Sequence, residues 1–596
     1  MEPGKIKTLL SKYSKNIDLT MPLNDYPRPE MERNHWINLN GKYQYAILPK
    51  SSNIPEQFQG EIVVPFCVES SLSQVQKSLS PSEYLWYKRE FNVTESVQNQ
   101  KLLLHFEAVD YQCSIYINQL FVGKNRGGYL PFSFDISSFI STGVNTLVIC
   151  VEDPTDTGYQ GRGKQVLEPK GIWYTATSGI WQTVWMEYVS NVHFDSLKII
   201  TDVDSSSIRI CPIINSDNSF PVTIKIYEEK TLIINQTIEP NSFSEIKIHN
   251  AQLWSPESPF LYDVILELSN ANQIIDTIKS YFGMRKIHIA LDELNIPRIF
   301  LNNRIYFQTG VLDQGYFPDG LLTPPTDEAM IDDIRAMKNM GFNMLRKHIK
   351  VESRRWYYHC DRIGMIVWQD MPNGGEGYIG NTLAVVLPNL GINVNDNQYR
   401  KFHRENQKGR QEFEANLKAM ITHLYNHPSI CCWVPFNEGW GQFDARRIGE
   451  EIKKIDPYRI VDHASGWHDQ KGPDLVSIHK YIFKVKMPRK DKKRPFVLSE
   501  FGGYSQIISN HSWNEPNSFG YKMFESKSEL SEAYEKLYET QIIPLISKGL
   551  CATIYTQLSD VELEVNGLLT YDREIVKIEK FLVLAINDKL KNHSYK

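Results

Sequence analysis

Two short stretches of the sequence decide the fold. Residues 433–439 read Trp-Val-Pro-Phe-Asn-Glu-Gly, and residues 496–503 read Phe-Val-Leu-Ser-Glu-Phe-Gly-Gly. Each begins as an apolar run and then delivers one glutamate, Glu438 or Glu500. Short apolar runs that stop at a turn residue are typical of strands buried inside a parallel sheet. Pro435 cannot donate to a sheet ladder, so we expect it near the strand's end or at a bulge.

Strands and helices alternate on both sides of these stretches. Strand candidates share a short apolar run and lie near Tyr306, Met344, Ile366, Trp433, Ile460, Val476, Val497 and Ile554. The spacing predicts helices over 326–340, 412–425 and 444–455, with Thr326 as an N-cap. Eight such units over about 300 residues indicate a TIM (β/α)8 barrel spanning 286–596. A doubly wound open sheet is the alternative, but no glycine-rich phosphate loop follows the first strand.

The residues before the barrel alternate with a period of two. Leu102, Leu104 and Phe106 form one such run, and Gly127-Gly128 is a turn signal. This pattern predicts an N-terminal β jelly-roll sandwich over 1–190. Roughly seven short strands over 191–285 fit an immunoglobulin-like β-sandwich. The chain of 596 residues is therefore expected to be multidomain with three domains, although length alone predicts about three to five.

The composition excludes several classes of protein. The net charge is −5, without the basic excess of a nucleic-acid-binding protein. No apolar run of about 18 residues predicts a membrane helix, and no secretory h-region is seen, so we expect a cytoplasmic protein with no membrane partner. The eight cysteines include no Cys-x-x-Cys pair. No metal-ligand set is predicted from them.

The two glutamates suggest a chemistry. In a barrel the carboxyl ends of the strands share one face, which carries the active site. Glu438 and Glu500 are therefore expected to face each other there. Glycoside hydrolysis needs such a pair, because one carboxyl group protonates the leaving oxygen while the other, ionised, attacks the anomeric carbon. Their surroundings must split their pKa values.

The sequence resembles glycoside hydrolase family 2 of clan A, the home of β-galactosidases, β-glucuronidases and β-mannosidases. The matching motifs are Asn437-Glu438, Glu500, Ser178-Gly179-Ile180-Trp181, Phe282-Gly283-Met284-Arg285 and Asn343-Met344-Leu345-Arg346-Lys347-His348. The resemblance implies that Glu438 is the acid/base, Glu500 the nucleophile and Asn437 the residue that binds the sugar 2-hydroxyl. It also implies double displacement with net retention.

Further candidate site residues lie at other strand ends. Arg346 and His348 match the strand-two motif, and an arginine there holds the nucleophile ionised. Tyr504 follows the nucleophile and is expected to orient it. The remaining candidates for sugar contacts are Asp370, His479, Tyr481, Trp440, Trp467, Tyr555 and Trp173. For any one ring, core packing is the commoner use, and Asp370 and His479 equally fit structural roles.

Two departures from the family pattern bear on the sugar. Trp173 stands where relatives often place a first-domain carboxylate, which weakens a galactosidase assignment. Residues 565–568 lack the lysine that pairs with a uronate in the glucuronidases, and a buried carboxylate without a cation is costly, which disfavours glucuronides. Some galactosidases of the family use magnesium, whose ligands the sequence does not place; otherwise no cofactor is expected.

The first expectation is a retaining exo-glycosidase with β-galactosidase activity as the default, whose partner is an oligosaccharide or glycoside. The alternatives are β-mannosidase, β-glucuronidase or α-L-arabinosidase activity. A non-catalytic carbohydrate-binding protein on the same scaffold is the alternative from another class. The long polar loop over 371–410 is expected to cover the aglycone. The sandwich domains wall the pocket, brace the barrel or form a homo-oligomer interface.

Overall fold

Three β-rich units follow one another along the chain, so the predicted fold class is confirmed. The structure is a computed structural model that describes residues 9–94, 100–271, 273–380, 382–488 and 491–593. Within these residues, no helix combines the length and apolar character needed to cross a bilayer.

The first unit is a sandwich of two antiparallel sheets. The four-stranded sheet has the order Trp36–Asn38, Val184–Ser190, Gln100–Phe106 and Phe132–Asp135; the six-stranded sheet has the order Gly60–Val64, Gly41–Pro49, Glu83–Val93, Gly143–Glu152, Gln112–Ile117 and Leu120–Arg126. The alternating residues Leu102, Leu104 and Phe106 point into the core between them. Two short pairs join Gln165–Val166 to Tyr174–Thr175 and Val109–Asp110 to Gly179–Ile180.

The second unit is a smaller sandwich. Its three-stranded sheet contains Phe194–Asp202, Ser207–Ile214 and Ser244–Lys247, and its four-stranded sheet has the order Thr231–Ile238, Val222–Glu228, Tyr262–Asn270 and Gln273–Phe282. Alternate residues such as Ile224 and Leu266 are fully buried between the sheets. A separate three-stranded sheet of Ile287–Leu291, Pro297–Leu301 and Arg304–Ile305 then leads into the barrel.

Eight parallel strands form the curled sheet of the third unit. In chain order, barrel strands one to eight are Gln308–Asp313, Met344–Lys347, Ile366–Asp370, Ile430–Val434, Ile460–Val461, Val476–Lys480, Phe496–Gly502 and Leu550–Thr556. Backbone pairing runs from strand five through strand one to strand six. Side chains join strands five and six, because Ser477 Oγ donates to Asp462 Oδ2 at 2.8 Å and Asp474 Oδ2 accepts from Val461 N at 2.9 Å.

Helices surround these strands. The α-helices are Asp327–Asn339, Arg354–Ile363, Leu387–Asn389, Gln407–His423, Ala445–Ile455, Lys527–Leu537, Ile543–Ile546 and Lys580–Lys591; 3-10 turns cover Ser14–Asn16, Pro29–Met31, Tyr399–Phe402 and Glu515–Asn517, and π turns cover Thr382–Val386 and Tyr538–Ile542. A last short pair joins Tyr504–Ser505 to Lys522–Met523. Thr326 caps the first of these α-helices as predicted, accepting from Ala329 N. The helix predicted from 412 begins earlier, because the Asn406 side chain caps it by accepting from Gly409 N at 3.1 Å.

Contacts at the domain junctions involve residues of two further sequence motifs, Ser178-Gly179-Ile180-Trp181 and Phe282-Gly283-Met284-Arg285. Thr323 Oγ1 of the barrel donates to the carbonyl of Trp181 at 2.6 Å, and the Trp181 ring joins the barrel's apolar core. Arg285 Nη2 donates to the carbonyl of Ile430 at 2.7 Å, where strand four begins. These contacts seat both sandwiches against the barrel and place the first domain at its active face.

Candidate active site

The two glutamates meet at the carboxyl ends of their strands. Glu500 lies within strand seven, and Glu438 lies just beyond strand four. Glu438 adopts a left-handed backbone with φ 54°, and its N–H donates to the Ser465 carbonyl at 2.9 Å. One carboxylate oxygen of each glutamate and one ring nitrogen of His479 lie within 4.8 Å of one another.

Glu500 is buried among groups that favour its ionised form. Arg346 Nη1 donates to Glu500 Oε1 at 3.1 Å, and the Tyr481 hydroxyl donates to Oε2. The His348 ring lies beside this carboxyl group without a hydrogen bond to it, with Nε2 3.5 Å from Oε1. Hydrogen bonds from a cation and a hydroxyl stabilise a carboxylate, so Glu500 is held as an anion aimed at the pocket.

Arg346 is fully buried and ties the site together. Its Nε and Nη2 atoms donate to the two oxygens of Asp370, each at 3.0 Å. Nη2 also donates to Asn437 Oδ1 at 2.8 Å. Because a guanidinium only donates, the Asn437 oxygen must face it and the amide NH2 is left for the pocket. Both oxygens of Asp370 therefore bind Arg346. Asp370 thus has the structural role, a salt bridge, that the sequence allowed as an alternative to a sugar contact.

Removing the Arg346 charge is expected to destabilise the fold strongly. Arg346→Met leaves two buried carboxyl groups without their cation, and breaking such a pair lowers the free energy of unfolding by about 3–5 kcal/mol. The matched control is Arg446→Met, because Arg446 pairs with Glu450 at 3.0 Å on an exposed helix surface, where such pairs contribute only about 0.3–0.5 kcal/mol. Urea unfolding measures both. Equal losses for the two variants would contradict the central role of Arg346.

Glu438 is surrounded differently. Burial raises its pKa from 4.5 to about 7, against the opposing charges of Lys164 and Arg346. Burial lowers the pKa of His479 to about 4, so this ring is neutral. His479 Nδ1 lies 2.8 Å from Glu438 Oε1, and Nε2 lies 3.4 Å from the donor Arg346 Nη1. An arginine opposite Nε2 requires a lone pair there, which places the proton on Nδ1, facing Glu438. Glu438 thus has a raised pKa beside a neutral histidine, whereas Glu500 receives its hydrogen bonds from Arg346 and Tyr481.

A chain of amides orients His348, and sequence reasoning missed most of it. Asn566 Nδ2 donates to Glu564 at 2.9 Å, Gln557 Nε2 to Asn566 Oδ1 at 2.7 Å, and Gln314 Nε2 to Gln557 Oε1 at 2.8 Å. Gln314 Oε1 then faces His348 Nδ1 at 2.8 Å. A carboxylate only accepts, so each amide in this series must donate toward Glu564. Gln314 therefore presents its oxygen to His348, which carries its proton on Nδ1. Its buried Nε2 has no hydrogen-bond partner among the described residues, so it offers the pocket an acceptor.

Two of the predicted tyrosine roles need correction. Tyr504 packs against Phe524, with ring centroids 5.3 Å apart, and the hydroxyl that reaches Glu500 belongs to Tyr481 instead. The Tyr555 ring is 1% exposed and packs against Phe501 and Tyr534. It is a core ring, because strand eight turns this position toward the surrounding helices rather than toward the pocket.

The tryptophan candidates fall into two places. Trp467 is half-buried beside His479, with centroids 6.2 Å apart, and has a face for a sugar. Trp173 of the first domain lies 4.3 Å from Tyr378 and 5.0 Å from Trp440, measured between ring centroids. Trp440 follows Glu438 by two residues. These three rings therefore form a wall on the acid/base side of the pocket.

The loop over 371–410 packs beside the acid/base. Asn373 Oδ1 accepts from Asn437 N at 3.2 Å, and Arg404 Nε donates to the carbonyl of Gly441 at 2.8 Å. Tyr378 of the same loop belongs to the aromatic wall. The loop therefore lies beside Glu438 and the aromatic wall, and its function as a lid over the aglycone stays a prediction.

Magnesium does not fit the residues that surround the glutamates. In the described part of the chain, the group of acidic and histidine ligand atoms close enough to share an ion is Glu438, His479 and Glu500. Mg²⁺ prefers six oxygen ligands in an octahedron, whereas this group offers two carboxylate oxygens and one imidazole nitrogen. An ion there would also occupy the space between the glutamates. No step is derived through a metal.

Curated relatives share sequence with this chain at low identity. A β-galactosidase of Thermoanaerobacter pseudethanolicus is 24% identical over 440 residues, which are 70% of this chain and 54% of that protein. A putative β-glucuronidase of Formosa agariphila is 25% identical over 391 residues, which are 63% of this chain and 42% of that protein. The chain thus spans about half the length of the curated relatives it matches.

Solved structures share the whole fold. A β-D-glucuronidase from Dictyoglomus thermophilum superposes with a TM-score of 0.72 at 17% identity, covering 96% of this chain and 99% of that one. A β-galacturonidase from Eisenbergiella tayi gives 0.69 at 18% identity, with coverages of 96% and 99%. At these identities the likeness shows the fold alone.

Three domain-family models match most of the chain. They are the sugar binding domain of glycosyl hydrolases family 2 over residues 37–188, the model named glycosyl hydrolases family 2 over 192–285, and the TIM barrel domain of the family over 325–576. The resemblance seen in the sequence is confirmed, and the chain belongs to glycosyl hydrolase family 2.

Proposed function

We propose that this chain is a retaining exo-glycoside hydrolase in which Glu438 is the acid/base and Glu500 the nucleophile. One observation carries the proposal: an oxygen of each carboxylate lies within 4.8 Å of the other. Retaining enzymes hold their carboxyl groups about 5–5.5 Å apart, whereas inverting enzymes leave about 6.5–9.5 Å for a water. The first-domain ring Trp173 and the loop over 371–410 close one side of the pocket, which favours attack on a terminal sugar.

The surroundings of the two glutamates suit the two steps. In the first step, Glu500 attacks the anomeric carbon while Glu438 gives its proton to the departing oxygen. Arg346 and Tyr481 hold Glu500 ionised, and burial keeps Glu438 protonated below pH 7. In the second step, Glu438 takes a proton from a water molecule. The oxygen of that water attacks the anomeric carbon, and the bond between the sugar and Glu500 breaks. Asn437 presents its NH2 group toward the pocket, where a sugar 2-hydroxyl accepts from it.

The raised pKa of Glu438 predicts the alkaline limb of the reaction. Burial raises this pKa from 4.5 to about 7, so the acid is present below pH 7 and is lost as pH rises through it. We expect kcat/KM for an unactivated glycoside to fall about tenfold per pH unit on that limb. The limb is expected to vanish in Glu438→Gln. An unchanged alkaline limb in that variant would assign it to another group.

A panel of nitrophenyl glycosides tests the proposal. The panel contains β-D-galactoside, the first expectation from the sequence, with β-D-mannoside, β-D-glucuronide and α-L-arabinoside. Relatives named β-galactosidase and β-glucuronidase support including the first and third. Proton NMR of the first-formed sugar is expected to show the anomer of the substrate. The opposite anomer would establish inversion, and no turnover with sugar binding retained would establish a carbohydrate-binding protein.

A further inference from the structure

A segment of the first domain crosses the active face of the barrel. Glycines at 163 and 374 permit this approach: a Cβ on Gly163 would lie 3.1 Å from the Ile349 carbonyl oxygen, and one on Gly374 would lie 2.8 Å from Gly161 Cα. The backbone carbonyl of Lys164, which follows Gly163, accepts from Tyr174 N at 2.9 Å. The segment is therefore held against the ends of strands two and three, and Lys164 is its buried lysine.

Lys164 differs from the other buried lysines. Lys347 pairs with Asp313 at 2.7 Å, Lys350 with Glu352 at 2.6 Å, and Lys577 with Asp560 at 2.6 Å. Lys164 is also buried, 8% exposed against 1% for each of those three, yet it forms no ion pair with any carboxylate of the described residues. Its Nζ lies 5.2 Å from the centroid of the Tyr174 ring. Burying an unpaired ammonium is unfavourable, so such a group is expected to gain an anion from a ligand.

Lys164 lies near the reacting groups. Gly163, its neighbour in the chain, approaches the carbonyl of Ile349, which directly follows His348. In keeping with this, the charge of Lys164 lowers the pKa of Glu438 and of His348. The nearest acids are already engaged: Glu564 accepts from the Tyr174 hydroxyl at 2.6 Å, and Glu562 accepts from Thr175 N at 2.9 Å. Neither lies within ion-pair distance of Lys164.

A second cation extends the positive surface from the same segment. Arg162 is 4% exposed, and its Nε and Nη2 atoms are buried with no hydrogen-bond partner among the described residues. Its guanidinium lies 4.9 Å from the Tyr378 ring centroid and 5.0 Å from that of Trp440. This stacking holds Arg162 in the aromatic wall, so the acid/base side of the pocket is positive rather than neutral.

We propose that Lys164 binds an anionic group of the glycone, so that the pocket accepts an acidic sugar bearing a carboxylate or a sulfate ester. The proposal rests on the proposed function and names its substrate class. It also changes the argument from the sequence against glucuronides, which depended on the missing lysine near 565–568. The structure supplies a cation from the first domain instead, beside Tyr174, whose hydroxyl donates to Glu564 in the loop after strand eight.

Matched substrate pairs test the proposal in the full-length chain. Aryl β-D-glucuronide is compared with β-D-glucoside, β-D-galacturonide with β-D-galactoside, and galactoside 6-sulfate with galactoside. We expect the wild type to prefer the acidic member of at least one pair. The two uronide pairs test a carboxylate, and the 6-sulfate pair tests a sulfate ester. Lys164→Met is expected to lower kcat/KM for that member about 10–100-fold, the usual effect of losing a hydrogen bond to a charged group. The neutral member is expected to change less than about threefold, since it makes no ion pair.

Two controls keep the result decisive. Lys170→Met changes an exposed lysine of the same segment and is expected to leave every rate unchanged. Free glucuronate, galacturonate and glucose 6-sulfate are also titrated against glucose by calorimetry, and the acidic ligands are expected to lose affinity in Lys164→Met. The affinity for free acidic sugars tests the role of Lys164 even when no glycoside is cleaved. Absence of cleavage would then contradict the proposed function without contradicting the role of Lys164.

Three results overturn the proposal. In the first, Lys164→Met lowers the rates of both members of each pair equally, which assigns the lysine to Glu438 or to the fold. In the second, the wild type cleaves neutral glycosides and binds no acidic sugar. In the third, acidic sugars bind equally well to wild type and Lys164→Met. A melting temperature of Lys164→Met at or above that of the wild type is expected, because the variant removes an unpaired buried charge.

Discussion

Glu500→Gln is expected to abolish hydrolysis of every aryl glycoside that the wild-type chain cleaves. The amide is nearly isosteric and keeps one oxygen, which accepts from either Arg346 or Tyr481, since these two donate to different oxygens of Glu500. The amide cannot attack the anomeric carbon. Loss of a nucleophile in covalent catalysis commonly lowers kcat by at least about 10⁴-fold. Release of nitrophenolate measures the effect. Glu405→Gln, an exposed glutamate of the loop over 371–410, is the matched control and is expected to retain full activity.

The product of chemical rescue identifies the role of Glu500. In Glu500→Ala, added azide enters the space of the missing carboxylate and attacks from that face, so a β-glycoside is expected to give the α-glycosyl azide. Activity in the α-azide reaction shows that the remaining acid/base is intact. A β-glycosyl azide from this variant would mean that the two glutamates have exchanged roles, and substantial hydrolysis without azide would remove the covalent role of Glu500.

Glu438→Gln is expected to separate substrates by their leaving groups. A dinitrophenolate leaves without protonation, so the first step stays fast and the glycosyl ester on Glu500 accumulates, giving a burst. An alkyl or sugar leaving group needs the proton, and kcat/KM is expected to fall about 10²–10⁴-fold, the usual contribution of general acid catalysis. Stopped-flow measurement of the burst, together with steady-state rates for both leaving groups, checks the difference.

Azide also gives an independent result for Glu438. In Glu438→Ala the azide attacks the glycosyl ester from the opposite face of the sugar, so the expected product is the β-glycosyl azide. Equal rate losses for good and poor leaving groups would exclude proton donation by Glu438. His479 is neutral beside it, so we expect no second acid to replace the missing one.

Much of the fold was predictable because its signals are local. The apolar runs that end in Glu438 and Glu500 are strands four and seven, and Thr326 caps its helix as expected. Hydrophobic period and capping act within a few residues of the chain, so they are legible in the sequence. The small sheet over 287–305 was not anticipated, because its short apolar runs resemble barrel strands and only its pairing partners distinguish it.

The candidate site was predictable only in part. Arg346 was expected beside the nucleophile, and the structure places it 3.1 Å from Glu500 Oε1. The choice between Tyr481 and Tyr504 was not decidable, because both follow strand ends and only the direction of each side chain separates them. The interaction of Gln314 with Gln557 joins the ends of strands one and eight. Nothing in either local sequence signals such a partner.

The sequence by itself determined which residues stand at the strand ends, and hence the glutamate pair and the family. The tertiary structure decided what surrounds that pair: the burial that separates Glu438 from Glu500, the orientation of His348, and the arrival of Lys164. The physical reason is that strand and helix signals act between neighbours in the chain, whereas charge and desolvation act between neighbours in space. Lys164 belongs to another domain, and the packing of that domain on the barrel holds its segment against the ends of strands two and three.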